Sequence, residues 1–281
     1  MKSVIILIFS ILSQIIYSQT IEIKGKIIDV SNNAVPYVNI GVLNKPIGTV
    51  SDDDGNFRLS LQKEHLNDTL KISSLGYKSR IFLISKLANK NEPIHIELRE
   101  QIQHLDEVVI YSKNLKTYTK GRTKTNTNQK VIFAKPEMKN INLGSEIGRK
   151  FKLDDDKPSY LTQFKFFIKN NNFDFVKFRI NVYTIKDNRP GKKLNTQNIF
   201  TSAENSYTGW IIVDLTSYNI VVQEDIIVAV EWIEHSEKGN TLNLPIIIPS
   251  FGSTHYYKFG SQNSWKKYGS MSSAMELTYK Q

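Results

Sequence analysis

An all-β protein built from two sandwich modules is the fold class predicted by three features of the sequence. Isoleucine outnumbers alanine by 35 to 6, a bias that suits pleated strands and disfavours helix bundles. Aromatic residues make up 11% of the chain, which again favours half-buried strands. Short apolar runs recur from Thr20 onward with Gly, Asn, Asp and Pro at their joints, the punctuation of sheets joined by tight turns.

The 281 residues leave room for one large domain or two modest ones. A formal charge of +10 is below the density of a dedicated nucleic-acid binder, so no nucleic-acid partner is expected. The chain has no cysteine, which excludes disulfides, thiolate metal sites, Cys nucleophiles and a lipid-modified N-terminal Cys.

Residues 1–18 read as a secretory signal peptide. Met1-Lys2 gives the positive start, Val4 to Leu12 is an apolar run, and Ser18 is the small residue before the cut. Cleavage there leaves Gln19 first. The apolar run is shorter than the ~20 residues that span a bilayer, and the mature chain is expected to carry no transmembrane segment. The expected location is the periplasm, the periphery of the outer membrane or the cell surface.

Residues 19–110 read as a seven-stranded sandwich, with strands from Ile21 to Asp29, Val38 to Leu43, Gly48 to Ser51, Phe57 to Leu61, Thr69 to Ser73, Tyr77 to Ile84 and Ile94 to Leu98. At Asp52-Asp53-Asp54-Gly55-Asn56 the Asp-Gly pair predicts a hairpin turn, with Phe57, Leu59 and Leu61 alternating out of it. The segments Gly25-Lys26-Ile27-Ile28-Asp29, Ala34-Val35-Pro36-Tyr37-Val38-Asn39-Ile40, Gly48-Thr49-Val50-Ser51-Asp52, Gly55-Asn56-Phe57-Arg58-Leu59 and Ser74-Leu75-Gly76-Tyr77-Lys78 follow in order over about 80 residues. They resemble the carboxypeptidase-regulatory-like domain, a transthyretin-like sandwich. The resemblance implies a Bacteroidetes envelope setting and no catalytic residues, because such modules accompany peptidases, transporters and surface proteins. Leu105 to Ile110 is similar to the segment that follows this domain in TonB-dependent outer-membrane transporters of that group.

Residues 111–130 read as a basic linker. No acidic residue occurs between Glu107 and Glu137, while Lys113, Lys116, Lys120, Arg122, Lys124, Lys130 and Lys135 are interleaved with Thr and Asn. Residues 131–281 read as a second, jelly-roll-like sandwich. Val176, Phe178, Ile180 and Val182 alternate with Lys177, Arg179 and Asn181, which predicts a half-exposed strand. Ile226 to Val230 is apolar on both faces and reads as a central strand, and Trp210 and Trp232 as core. Tyr160 to Glu234 resembles the C-terminal sandwich found beside regulatory-like domains in Bacteroidetes envelope proteins, a likeness that implies no activity.

The chain offers little for catalysis. His104-Leu105-Asp106-Glu107 has the His-x-x-Glu spacing of zinc carboxypeptidases, but positions three apart on a strand face opposite ways. A third ligand would have to be His235 or His255. Asp52-Asp53-Asp54-Gly55 lacks the carboxylates an EF-hand needs at Val50 and Leu61, leaving at most a weak surface calcium turn there or at Asp154-Asp155-Asp156. Ser264-Trp265-Lys266-Lys267 fits Ser-x-x-Lys without its companion motifs. No catalytic residue, cofactor or metal site is expected. The candidate binding face is aromatic: Tyr256, Tyr257, Trp265 and Tyr268 are expected to share one exposed patch rimmed by Lys258, Lys266 and Lys267. The expected function is an exported, non-enzymatic cell-envelope protein with a structural or binding role, its partner an envelope protein or a glycan. The alternative is a carbohydrate-binding accessory protein for glycan uptake, and a metal-dependent hydrolase ranks third.

Overall fold

A computed structural model describes residues 20–88, 92–101, 115–137, 142–153 and 157–281. The signal peptide, Gln19, the His104 to Glu107 motif, the segment from Leu105 to Ile110 and Asp154 to Asp156 lie outside the described residues. Among the described residues no helix is long and apolar enough to cross a membrane.

The N-terminal module consists of β1 (Thr20–Ile28), β2 (Asn39–Val42), β3 (Gly48–Val50), β4 (Asn56–Gln62), β5 (Thr69–Ser73), β6 (Arg80–Leu83) and β7 (Ile94–Glu97). They form two sheets, β4-β1-β7 and β3-β2-β5-β6. Alternation dictates which side chains turn inward. In β4, Phe57, Leu59 and Leu61 are buried and the residues between them exposed, and they meet Ile40, Val42, Leu70 and Ile72 from the other sheet in one core. The Asp52 to Asn56 turn differs from expectation in one respect. Gly55 has the positive φ of +77°, but β3 pairs with β2 and β4 with β1. The turn therefore carries the chain from one sheet to the other instead of closing a hairpin.

The C-terminal module contains β8 (Thr117–Arg122), β9 (Lys130–Ala134), β10 (Glu146–Phe151), β11 (Ser159–Ile168), β12 (Asn170–Asn171), β13 (Phe175–Lys186), β14 (Arg189–Lys193) and β15 (Ile199–Glu204). It continues with β16 (Gly209–Asp214), β17 (Val221–Val222), β18 (Ile226–His235), β19 (Leu242–Ile247), β20 (Thr254–Lys258), β21 (Lys266–Gly269), β22 (Ser272–Ser273) and β23 (Met275–Lys280). The larger sheet runs β14-β13-β18-β10-β20-β21, the facing sheet β16-β11-β23-β8, and a smaller sheet is built around β19. Ile147, Phe178 and Val230 of the first pack with Phe164, Phe166 and Leu277 of the second in a single large core. Strand β18 lies between β13 and β10, as its two apolar faces predict.

Three expectations are corrected. Thr117–Arg122, read as linker, pairs antiparallel with Met275–Lys280 as an edge strand; its Thr and Tyr residues suit a strand, and all its residues but Gly121 are exposed. Arg179 and Asn181, read as the exposed face of β13, are each 2% exposed, because the N-terminal module and partner carboxylates cover them. Trp232 is fully buried, but Trp210 is only partly so and lies beside Phe167, with the Lys165 ammonium over its ring.

Candidate functional site

The residues of the expected aromatic face and its rim do not form one patch. Across the β20–β21 pair, Tyr256 lies opposite Lys267 and Tyr257 opposite Lys266, and partners in an antiparallel register share a face while chain neighbours do not. Tyr256 is buried among Tyr183, Ile227 and Ala229, with Trp265 packed against them. Tyr257 turns to the other face, where it packs on the large core and its hydroxyl donates to the Ile132 carbonyl at 3.1 Å. Tyr268 stands beside His255 on that second face. Lys266 and Lys267 are exposed. Lys258, expected on the rim, instead forms a buried ion pair with Glu146.

The outer face of the larger sheet holds a buried polar network. Glu146 on β10 and Glu231 on β18 are both fully buried and lie directly across from each other in the register. Asn181 on β13 joins them through Nδ2, which donates to Glu146 Oε2 at 3.0 Å and to Glu231 Oε2 at 2.7 Å. Glu146 also accepts from the Tyr183 hydroxyl at 2.7 Å and from Lys258. Glu231 accepts from Arg179 Nε at 2.9 Å and Nη2 at 3.2 Å, a two-pronged, charge-assisted pair. Burial alone would raise the Glu231 carboxyl, but Arg179 and Lys193 hold it well below the ordinary range. Burial and the two carboxylates push the Tyr183 hydroxyl well up, so it stays a donor.

This network continues into the N-terminal module. Arg179 Nη1 donates to the Tyr37 carbonyl at 3.0 Å and Nη2 to Asn39 Oδ1 at 3.3 Å. The Tyr37 hydroxyl donates to Glu234 at 3.1 Å, and Lys177, ion-paired with Glu234 at 2.9 Å, reaches that hydroxyl and lies over the Tyr37 ring. The apolar part of the contact includes Tyr37, Val50 and Ile233, with Leu143 at its edge and the Phe200 ring edge-on to Tyr37 at 5.2 Å.

A second anchor is the loop between β20 and β21. Ser261 Oγ donates to the Ile40 carbonyl at 2.8 Å, and Gln262 Nε2 donates to Ser73 Oγ at 2.7 Å. Side-chain-free positions make room for it: a Cβ on Gly41 would stand 2.6 Å from Ser261 Oγ, and one on Gly48 2.5 Å from it. Trp265 ends the loop edge-on to Tyr183 at 5.7 Å, with the Lys258 ammonium 5.3 Å from its ring centre. The stretch expected to display aromatics is thus a docking loop. The arrangement fixes two sandwiches in one orientation; it presents charged groups that are already paired with one another. Among the described residues no group of three His, Cys, Asp or Glu is placed to hold a metal. Asp52 accepts from the Asn56 amide at 2.7 Å within its own turn.

The seven strands, the inter-sheet turn at Gly55 and the order of segments agree with one known domain. Residues 23–110 match the CarboxypepD_reg-like domain. The chain is also similar to a curated protein, the TonB-dependent receptor SusC of Bacteroides thetaiotaomicron, at 30% identity over 94 residues. That stretch covers 34% of this chain, and the chain spans 8% of the receptor's length. Among solved structures, a clostridial cysteine protease, Cwp84 after propeptide cleavage, aligns with 92% of this chain and 70% of its own at 13% identity and a TM-score of 0.39. A DUF3823 family protein from Parabacteroides merdae aligns with 77% of this chain and all of its own at 8% identity and a TM-score of 0.21. Likenesses that low carry no argument about chemistry.

Sequence reading missed Glu146, Arg179, Asn181, Tyr183 and Glu231 as members of one site. One signal was present: Arg179 and Asn181 interrupt a strand whose alternate residues are all apolar, and Glu231 follows five apolar residues of β18.

Proposed function

We propose that the chain is an exported, non-enzymatic cell-envelope protein in which the regulatory-like module braces the larger sandwich and the larger sandwich carries the binding face. The observation that carries this reading is the Arg179–Glu231 network, which ends on backbone and side-chain groups of Tyr37 and Asn39. Buried ion pairs add little net stability but fix orientation, since each misplaced charge would remain unpaired. Glu231 is paired with Arg179, Glu146 with Lys258 and Glu234 with Lys177, which suits scaffolding better than acid–base turnover. The similarity of part of the chain to a TonB-dependent receptor supports an envelope setting, and the apolar run from Val4 to Leu12 supports export.

The test is expression of the full chain with a C-terminal tag in a Gram-negative host, followed by cell fractionation and mass spectrometry. The expected product begins at Gln19 and lies in the periplasmic or outer-membrane fraction. Retention of Met1 in a cytoplasmic product overturns the reading.

A further inference from the structure

Away from the module contact, one buried cation of the large sandwich has, among the described residues, no ion pair of its own. Arg149 on β10 lies opposite His255 on β20 and is 6% exposed. Its Nη1 donates to Ser272 Oγ at 2.8 Å, and its Nε has no hydrogen-bond partner. The carboxylate that bears on it electrostatically, Glu276, is ion-paired with Lys165. The other charge acting on it is again positive, Arg122 at the end of β8. Arg122 is held by Nε donation to Ser250 Oγ at 3.2 Å and Nη2 donation to the Phe251 carbonyl at 3.3 Å. Burial, with the like charge of Arg122, pulls the Arg149 guanidinium down to about 10, still protonated at neutral pH.

A buried guanidinium without an ion pair of its own is costly, and a second positive charge acting on it adds to the cost. Both are held by serine hydroxyls, Ser272 and Ser250, that are themselves buried, so the two cations are oriented as well as concentrated. The planar donor fork of arginine matches the oxygen spacing of phosphate or carboxylate, and two such forks suit a doubly charged anion. The geometry points to a binding site for a phosphate-class oxyanion in which Arg149 and Arg122 contact the anion and Ser272 and Ser250 position them. The phosphate can come free or on a lipid headgroup; Ile248, 52% exposed, and Phe251, 78% exposed, flank Ser250 and give an attached acyl chain apolar contacts.

The test uses the full chain and two probes. Inorganic phosphate is titrated calorimetrically and by thermal denaturation, with sodium chloride at matched ionic strength as control. Sedimentation with phosphatidylglycerol vesicles is compared with phosphatidylcholine vesicles. Arg122→Gln, at an exposed position that leaves the core intact, is expected to weaken whichever probe binds by about tenfold or more, the loss of one charge-assisted pair. Lys124→Gln, which removes the same charge from an exposed residue outside the site, is expected to change it less than about twofold. Binding of free phosphate identifies the free anion; selective binding to phosphatidylglycerol alone identifies the headgroup. No response to either probe, or a response that Arg122→Gln leaves intact or Lys124→Gln reduces equally, overturns the proposal.

Discussion

His255 is 2% exposed, with its Nδ1 3.1 Å from the Ser273 hydroxyl, and burial pulls its imidazole from 6.5 down to about 4. The unfolded chain takes up a proton near the ordinary value, while the folded chain refuses it until about 4. Stability is therefore full above 6.5 and falls as pH drops toward 4, by about 3 kcal/mol for the whole interval. Urea denaturation across this range should show that decline, and His255→Gln should flatten it. Glu231 acts lower on the scale. Its folded carboxyl lies below the ordinary 4.5, so its contribution is present above that value and disappears on further acidification. Replacing it by Gln at neutral pH leaves Arg179 buried without its anion. The expected cost is about 3–5 kcal/mol, measurable as a lower urea midpoint, and a paired change of Arg179→Met with Glu231→Leu should recover much of it.

At the scale of elements, the β20–β21 loop and strand β8 carry the clearest expectations. Gly48→Ala places a Cβ 2.5 Å from Ser261 Oγ and 2.9 Å from the Ile40 carbonyl, and overpacking of this kind costs about 1–3 kcal/mol. Ser261→Gly in the same chain should relieve part of it, as read by thermal denaturation. Because Lys120 and Arg122 lie within a paired strand, brief trypsin digestion should spare them and cut at Lys124, which follows the strand in an exposed segment. Mass spectrometry of the first fragments distinguishes the two. Much of the strand pattern was legible because it is local: Phe57, Leu59 and Leu61 announce β4, and Ile226 to Val230 announces β18. Strand β8 was not, since its partner is Met275–Lys280 and nothing within the basic segment encodes that distant edge. The docking site was illegible for the same reason. Arg179 reads as surface until Glu231, 52 positions away, is known to lie beside it. The split of Tyr256 from Tyr257, by contrast, follows from strand periodicity alone.

At the scale of the molecule, the two sandwiches are coupled through buried polar groups as well as through apolar side chains. Because parting the modules strips the buried Arg179 guanidinium of its acceptors on Tyr37 and Asn39, separation of the modules and loss of their folds should coincide. Scanning calorimetry of the full chain should give one transition whose calorimetric and van't Hoff enthalpies agree. Arg179→Met, which removes the bonds to both Tyr37 and Asn39, should divide it into two. The notch that admits Ser261 has a further consequence for inheritance. A Cβ at Gly41 or Gly48 in one sandwich, or at Gly144 in the other, would collide with the same serine. Positions 41, 48, 144 and 261 therefore form a single mutational unit spanning both modules: drift at one is tolerated only with compensation at another. Shuffling this regulatory-like module onto a different sandwich, or grafting another copy here, would succeed only where donor and recipient match in the shape of that notch.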